Sequence, residues 1–142
     1  LIGKETFEVE LTNGSYLRQI AGARTFGSRE DEQSMRNMGL IRGASRENCI
    51  VLTRDGVENG PLRYRDEFVR HKILDLVGDL ALLGKQVLGK VIADRAGHAM
   101  HTALVSRILR DKSMWEEVSV SDQEQAEQET RRSSEAAAGS LQ

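Results

Sequence analysis

The sequence predicts an α+β domain, most simply a small sheet with helices packed on one side. Short apolar, β-branched runs alternate with longer amphipathic ones, and the connections between them are brief. No internal repeat runs through the chain. A length of 142 residues suits one domain with a modest core.

The elements follow in order. Phe7-Glu8-Val9-Glu10-Leu11 alternates apolar with acidic residues, which predicts a half-buried strand. Thr12-Asn13-Gly14-Ser15 is turn chemistry, and extended character resumes over 16–25 until Gly27-Ser28 breaks it. Ser28 before Arg29-Glu30-Asp31-Glu32 resembles a helix cap with acids in the first turn, and Gly39 stops that helix. Gly43-Ala44-Ser45 forms a loop before a β-branched strand over 48–53. Asp55-Gly56 and Asn59-Gly60-Pro61 are turns, and 62–64 make a further short extended piece. A central helix runs over 66–83, with Gly84 as its stop. Residues 87–93 read as another strand. Gly97-His98 opens the last helix, whose apolar face is Met100, Leu104, Ile108 and Leu109. From Ser119 to Gln142 Gln, Glu, Ser and Ala dominate without apolar period, the composition of a disordered tail. The domain is therefore expected over 1–118 and the tail over 119–142.

Bulk properties exclude several functions. A formal net charge of −2 gives no drive toward nucleic acid or anionic membrane. Hydrophobic residues at 39% and a mean hydropathy of −0.46 fit a soluble protein, and no run is long enough for a membrane span. Cys49 is the only cysteine, which favours a reducing, cytoplasmic setting. The chain begins at Leu1, not Met, and so reads as a piece of something longer.

The chemistry-bearing residues cluster on the central helix. His71 and Asp75 stand at i and i+4, a step of about 6 Å along one face. Each such step overshoots a full turn by about 40°, so Asp79 sits roughly 80° round from His71. His71 and Asp75 are thus spaced to share a metal ion, and Asp79 to hold a neighbouring imidazole. On spacing alone, ordinary i,i+4 neighbours on a solvated face explain the same residues. The other histidines, His98 and His101, open the last helix, where the macrodipole disfavours a protonated ring. Ile41, Cys49 and Val51 read as core from composition, and Cys49 as a buried structural thiol.

Four motifs in order go further: Ala23-Arg24-Thr25-Phe26-Gly27, then Asp66-Glu67-Phe68-Val69-Arg70-His71-Lys72-Ile73-Leu74-Asp75, then Gly78-Asp79, then Gly97-His98-Ala99. From about Phe7 to Val118 the chain resembles the C-terminal half of the UDP-3-O-acyl-N-acetylglucosamine deacetylases, the zinc amidases of lipid A synthesis in Gram-negative bacteria. The resemblance implies Zn2+ as cofactor, held by His71 and Asp75. It implies a catalytic group of Thr25, Asp79 and His98: Thr25 bonds the tetrahedral intermediate, Asp79 orients His98, and His98 as an imidazolium assists departure of the amine. Phe26 would pack on the sugar, and Lys72 and Arg95 would serve the polar head and diphosphate of UDP-3-O-acyl-N-acetylglucosamine. Residues 27–62 would be the family's βαβ insert, with Ile41, Ala44, Ser45, Cys49 and Val51 along an acyl-chain passage. Core and passage readings name the same apolar residues.

Two departures stand out. Arg95-Ala96-Gly97-His98 replaces a more usual Lys-Ser-Gly-His, and His101 stands where Asn is more usual. No role is assigned to His101. The family's third zinc histidine and its glutamate base belong to an N-terminal domain, the expected partner of this chain. A non-catalytic interaction domain that kept the scaffold is the rival, and a His-bearing helix with an adjacent Glu upstream would decide against it.

Overall fold

In the computed structural model, which describes residues 2–119, the chain is α+β with a three-stranded mixed sheet and four α-helices. By contact it falls into two units, one ending at Val105 and the other beginning at Ser106. The expected tail lies outside the described residues beyond Ser119.

The sheet grows from one local unit. Strand β1 (Thr25–Ser28) runs into α2 (Arg29–Asn37), and the chain returns as β2 (Cys49–Thr53) parallel to β1, with Phe26 opposite Ile50. This is a βαβ crossover. Strand β3 (Gly56–Val57) then folds back antiparallel on β2 through the Asp55-Gly56 turn. Ser28 caps α2 through its side chain, which accepts from the Glu30 N–H. Gly39, at φ +74°, ends the helix as its N–H donates to the Arg36 carbonyl. Both signals sit where the sequence puts them.

Helix α3 (Glu67–Leu80) continues as a 3₁₀ turn (Ala81–Leu83), and left-handed Gly84 stops it. Phe68 on its first turn is buried and meets Phe26 of β1 edge to face at 5.0 Å. Ile20, Ala23 and Ile50 complete this side of a small core. Glu5 reaches from the N-terminal segment to accept the Val69 N–H, one of the donors a helix start leaves unsatisfied.

Four expected extended segments are not strands, the second of them (16–25) up to Thr25. Thr12 and Ser15 form a capping box, so the supposed turn is the start of α1 (Asn13–Ser15), which runs on as a π-helical turn (Tyr16–Ile20). Residues 7–11 and 87–93 carry no ladder, because among the described residues no strand lies beside either to take their N–H and C=O groups. An ion pair between Glu8 and Lys90 joins them, at 3.0 Å. Residues 62–64 are likewise irregular, and Arg63 donates its N–H to Glu67 instead of to a strand.

Helix α4 (His98–Arg110) also turns a different face inward. His101 and Val105 are its buried residues, while Met100, Leu104 and Leu109 are exposed. The apolar period is one residue out of phase with the buried stripe, and the inward-facing His101 meets Asp79 of α3. In the second unit the Trp115 indole N–H donates to the Ile108 carbonyl, and Lys112 lies over its ring. No described helix is long and apolar enough to cross a membrane.

Candidate metal and catalytic site

Two elements converge on the site, and a buried ion pair fixes their register. Glu67, fully buried, accepts from the Arg24 side chain at 2.9 and 3.1 Å and from the Arg24 and Arg63 N–H groups. Burial alone would raise its pKa. The Arg24 hydrogen bonds and the two backbone donors outweigh that and hold it at about 2. The residue after Arg24 is Thr25, and one turn after Glu67 is His71, so this lock sets the strand end against the helix face.

His71 and Asp75 meet as expected from their spacing. His71 Nε2 lies 3.3 Å from Asp75 Oδ1, and both side chains are mostly shielded. His71 Nδ1 is 3.2 Å from the Ala23 carbonyl oxygen, which can only accept, so Nδ1 carries the hydrogen. A neutral ring then has its lone pair on Nε2, toward the carboxylate. Two lone-pair donors facing each other at this distance fit a shared cation: ligands about 2.0–2.1 Å from a tetrahedral zinc stand roughly 3.3–3.4 Å apart. The carbonyl behind the distal nitrogen is the usual second support of a metal histidine. The other Asp75 oxygen accepts from Lys72 at 2.7 Å.

On the far side of Asp75, Asp79 collects two imidazoles. His98 Nδ1 is 2.7 Å and His101 Nδ1 2.8 Å from the same oxygen, Oδ2. The His98 bond, then the His101 bond acting against burial, hold the Asp79 carboxyl below its usual range. It is therefore ionised and accepts, so both Nδ1 atoms donate. His98 Nε2 is left facing Asp75 Oδ1 at 3.8 Å. Asp79, His98 and His101 each put one ligand-type atom within 4.8 Å of the others, close enough for a cation as well as for hydrogen bonds.

The remaining expected residues are partly gathered. A cleft of about 700 Å³ is lined by His71, Thr25, Ile41, Ala44 and Ser45, among others. It joins the His71 face to the loop after α2. Ile41 sits there at φ +49°, a strained setting for a β-branched residue. Cys49 and Val51 lie on β2, half-buried and outside this lining, and burial raises the Cys49 thiol. The Phe26 ring lies edge-on to His71 at 6.1 Å. Arg95 is exposed in the irregular connection before α4, beside Asp94. Residue spacing missed His101 and Glu67; each is a charged or titratable residue placed one helical turn from a site residue, which is the signal they offered.

A histidine and a carboxylate one turn apart, with an Asp-held imidazole beside them, form a set able to hold a cation and move a proton, as the class of metal-dependent hydrolases requires. Comparison with known proteins narrows this class. Residues 1–110 match the family model described as LpxC: UDP-3-O-acyl N-acetylglycosamine deacetylase, and the chain belongs to that family. It is 54% identical over 116 residues to a UDP-3-O-acyl-N-acetylglucosamine deacetylase of Solibacter usitatus (strain Ellin6076), covering 81% of this chain and 39% of that protein. It is 46% identical over 112 residues to one from Anaeromyxobacter dehalogenans (strain 2CP-C), covering 78% and 36%. The chain thus spans under two-fifths of the length of these two relatives.

Proposed function

We propose that the complete protein removes the N-acetyl group of UDP-3-O-acyl-N-acetylglucosamine in lipid A biosynthesis, in the cytoplasm, and that this chain supplies two of the zinc ligands. The observation that carries this is the His71–Asp75 pair, with its lone pairs opposed at 3.3 Å and its distal nitrogen held by Ala23. When bound, zinc supplies Lewis-acid polarisation and an acidified water. The third ligand and the general base come from the portion of the relatives that this chain does not span.

The chain's own residues do the rest. The Thr25 hydroxyl, on a residue that lines the same cleft as His71, donates to the oxygen on which charge develops. His98 keeps its Nδ1–H on Asp79 and offers a proton on Nε2 to the departing amine. The ionised Asp79 stabilises that imidazolium and offsets the helix start. Phe26 packs against the sugar, and the cleft past Ile41, Ala44 and Ser45 takes the acyl chain, with Cys49 and Val51 on the strand behind. Lys72 exchanges Asp75 for the substrate head, and Arg95 meets the diphosphate.

Acetate release from UDP-3-O-acyl-N-acetylglucosamine by the complete protein tests this. We expect zinc-dependent turnover, abolished by chelation and restored by Zn2+, and a His98→Ala variant that retains zinc while kcat falls. Absence of turnover by the zinc-loaded protein contradicts the proposal.

A further inference from the structure

The Asp79 carboxylate has two partners, and the function proposed above uses only one. His98 is exposed, with 67% of its side chain open, so water competes for every bond it makes. His101 is 4% exposed and gives its Nδ1–H to the same oxygen, Oδ2, at 2.8 Å. The two histidines are three residues apart in the first turn of α4, with rings edge to face at 6.2 Å. Asp79 lies on a different helix, α3. A carboxylate held only by a solvent-exposed ring would rotate about its own side-chain bonds. A second, shielded, charge-assisted donor removes that freedom.

The buried stripe of α4 says the same. Apolar Met100 and Leu104 face outward while a histidine takes the inward place, which burial of apolar area alone would not select. The Asp79 bond supplies the reason for that rotation.

We infer that His101 is a positioning residue: it pins Asp79 so that the carboxylate stays aligned with His98. This rests on the reading of His98 as the proton donor. The group that touches substrate is His98; His101 acts through Asp79.

The test uses the complete, zinc-loaded protein with His101→Leu, which keeps bulk and removes the donor, and His101→Asn, whose amide nitrogen falls close to the place of Nδ1. His101→Leu should lower kcat about 10- to 100-fold, the range for loss of an outer support, with KM and zinc content unchanged. His101→Asn should recover most of it. In an Asp79→Ala background, His101→Leu should cost little more; effects that multiply in full would mark a merely structural role and overturn the inference. Nitrogen-15 NMR of the imidazoles gives a readout independent of turnover. In the wild type both His98 and His101 should carry hydrogen on Nδ1, and His98 should lose that preference in His101→Leu. A wild-type His101 with hydrogen only on Nε2 overturns the inference even if no variant folds. A His98 signal that shifts while kcat stays at the wild-type value supports the positioning by His101 and instead sinks the acid role of His98.

Discussion

Arg24 and Glu67 form a buried two-pronged ion pair that joins the start of β1 to the first turn of α3, with Nε–Oε1 at 2.9 Å and Nη2–Oε2 at 3.1 Å. Thr25 follows one partner and His71 stands one turn beyond the other. The pair therefore sets the position of the Thr25 hydroxyl relative to the His71–Asp75 face. Breaking one side of a buried pair leaves an uncompensated group, at about 3–5 kcal/mol. Arg24→Met should cost that much in urea unfolding, whereas Arg24→Met with Glu67→Gln, which removes the uncompensated charge and keeps an acceptor oxygen for a backbone N–H, should recover part of the stability. Equal losses in the single and double variants would show that the pair contributes little.

The same glutamate makes stability depend on pH. Its folded pKa of about 2 lies below the ordinary 4.5, so its contribution is fully present above about pH 4.5 and is lost as pH falls toward 2. That window is worth about 3 kcal/mol at one pKa unit per 1.36 kcal/mol. Asp79, also held low, adds in the same direction. Unfolding followed from pH 6 to pH 2 should show a shallower acid slope in Glu67→Gln than in wild type.

Thr25, exposed, lines the cleft as the first residue of β1. Thr25→Val keeps the branched shape and removes the donor. Loss of one donor to a developing oxyanion costs about 10²- to 10³-fold in kcat, and KM should move little. Steady-state kinetics on the complete protein decides this; a rise confined to KM would give Thr25 a binding role instead.

Ala44 lines the loop side of the cleft. Ala44→Phe should narrow it and raise KM for long-acyl substrate at least tenfold while sparing a short-acyl analogue. A similar loss for both substrates would remove the acyl chain from this cleft.

Much of this arrangement is legible in residue order. Ser28 and Gly39 bound α2 because capping is local chemistry that three or four residues decide. The His71–Asp75 spacing likewise needs only helical geometry. What failed was non-local. Five alternating residues at 7–11 satisfy a strand's period, but a strand exists only with a neighbour, and pattern says nothing about the neighbour. Thr12 and Ser15 look like a turn in sequence because turn and cap use the same side chains. His101 escaped because its burial depends on Asp79, twenty-two residues away.

This chain offers two ligands to the proposed metal, so the isolated 142 residues should bind zinc weakly and release no acetate, with activity returning when the remainder of the protein is supplied. Full turnover by the isolated chain would sink the division of the site between the two parts.

The most direct measurement is zinc per chain in the purified complete protein, by elemental analysis after dialysis, for wild type, His71→Ala, Asp75→Ala and His98→Ala. The His71–Asp75 account predicts about one zinc in wild type and in His98→Ala, and little in the other two. Zinc retained by His71→Ala and Asp75→Ala, or lost equally from all three variants, would contradict it.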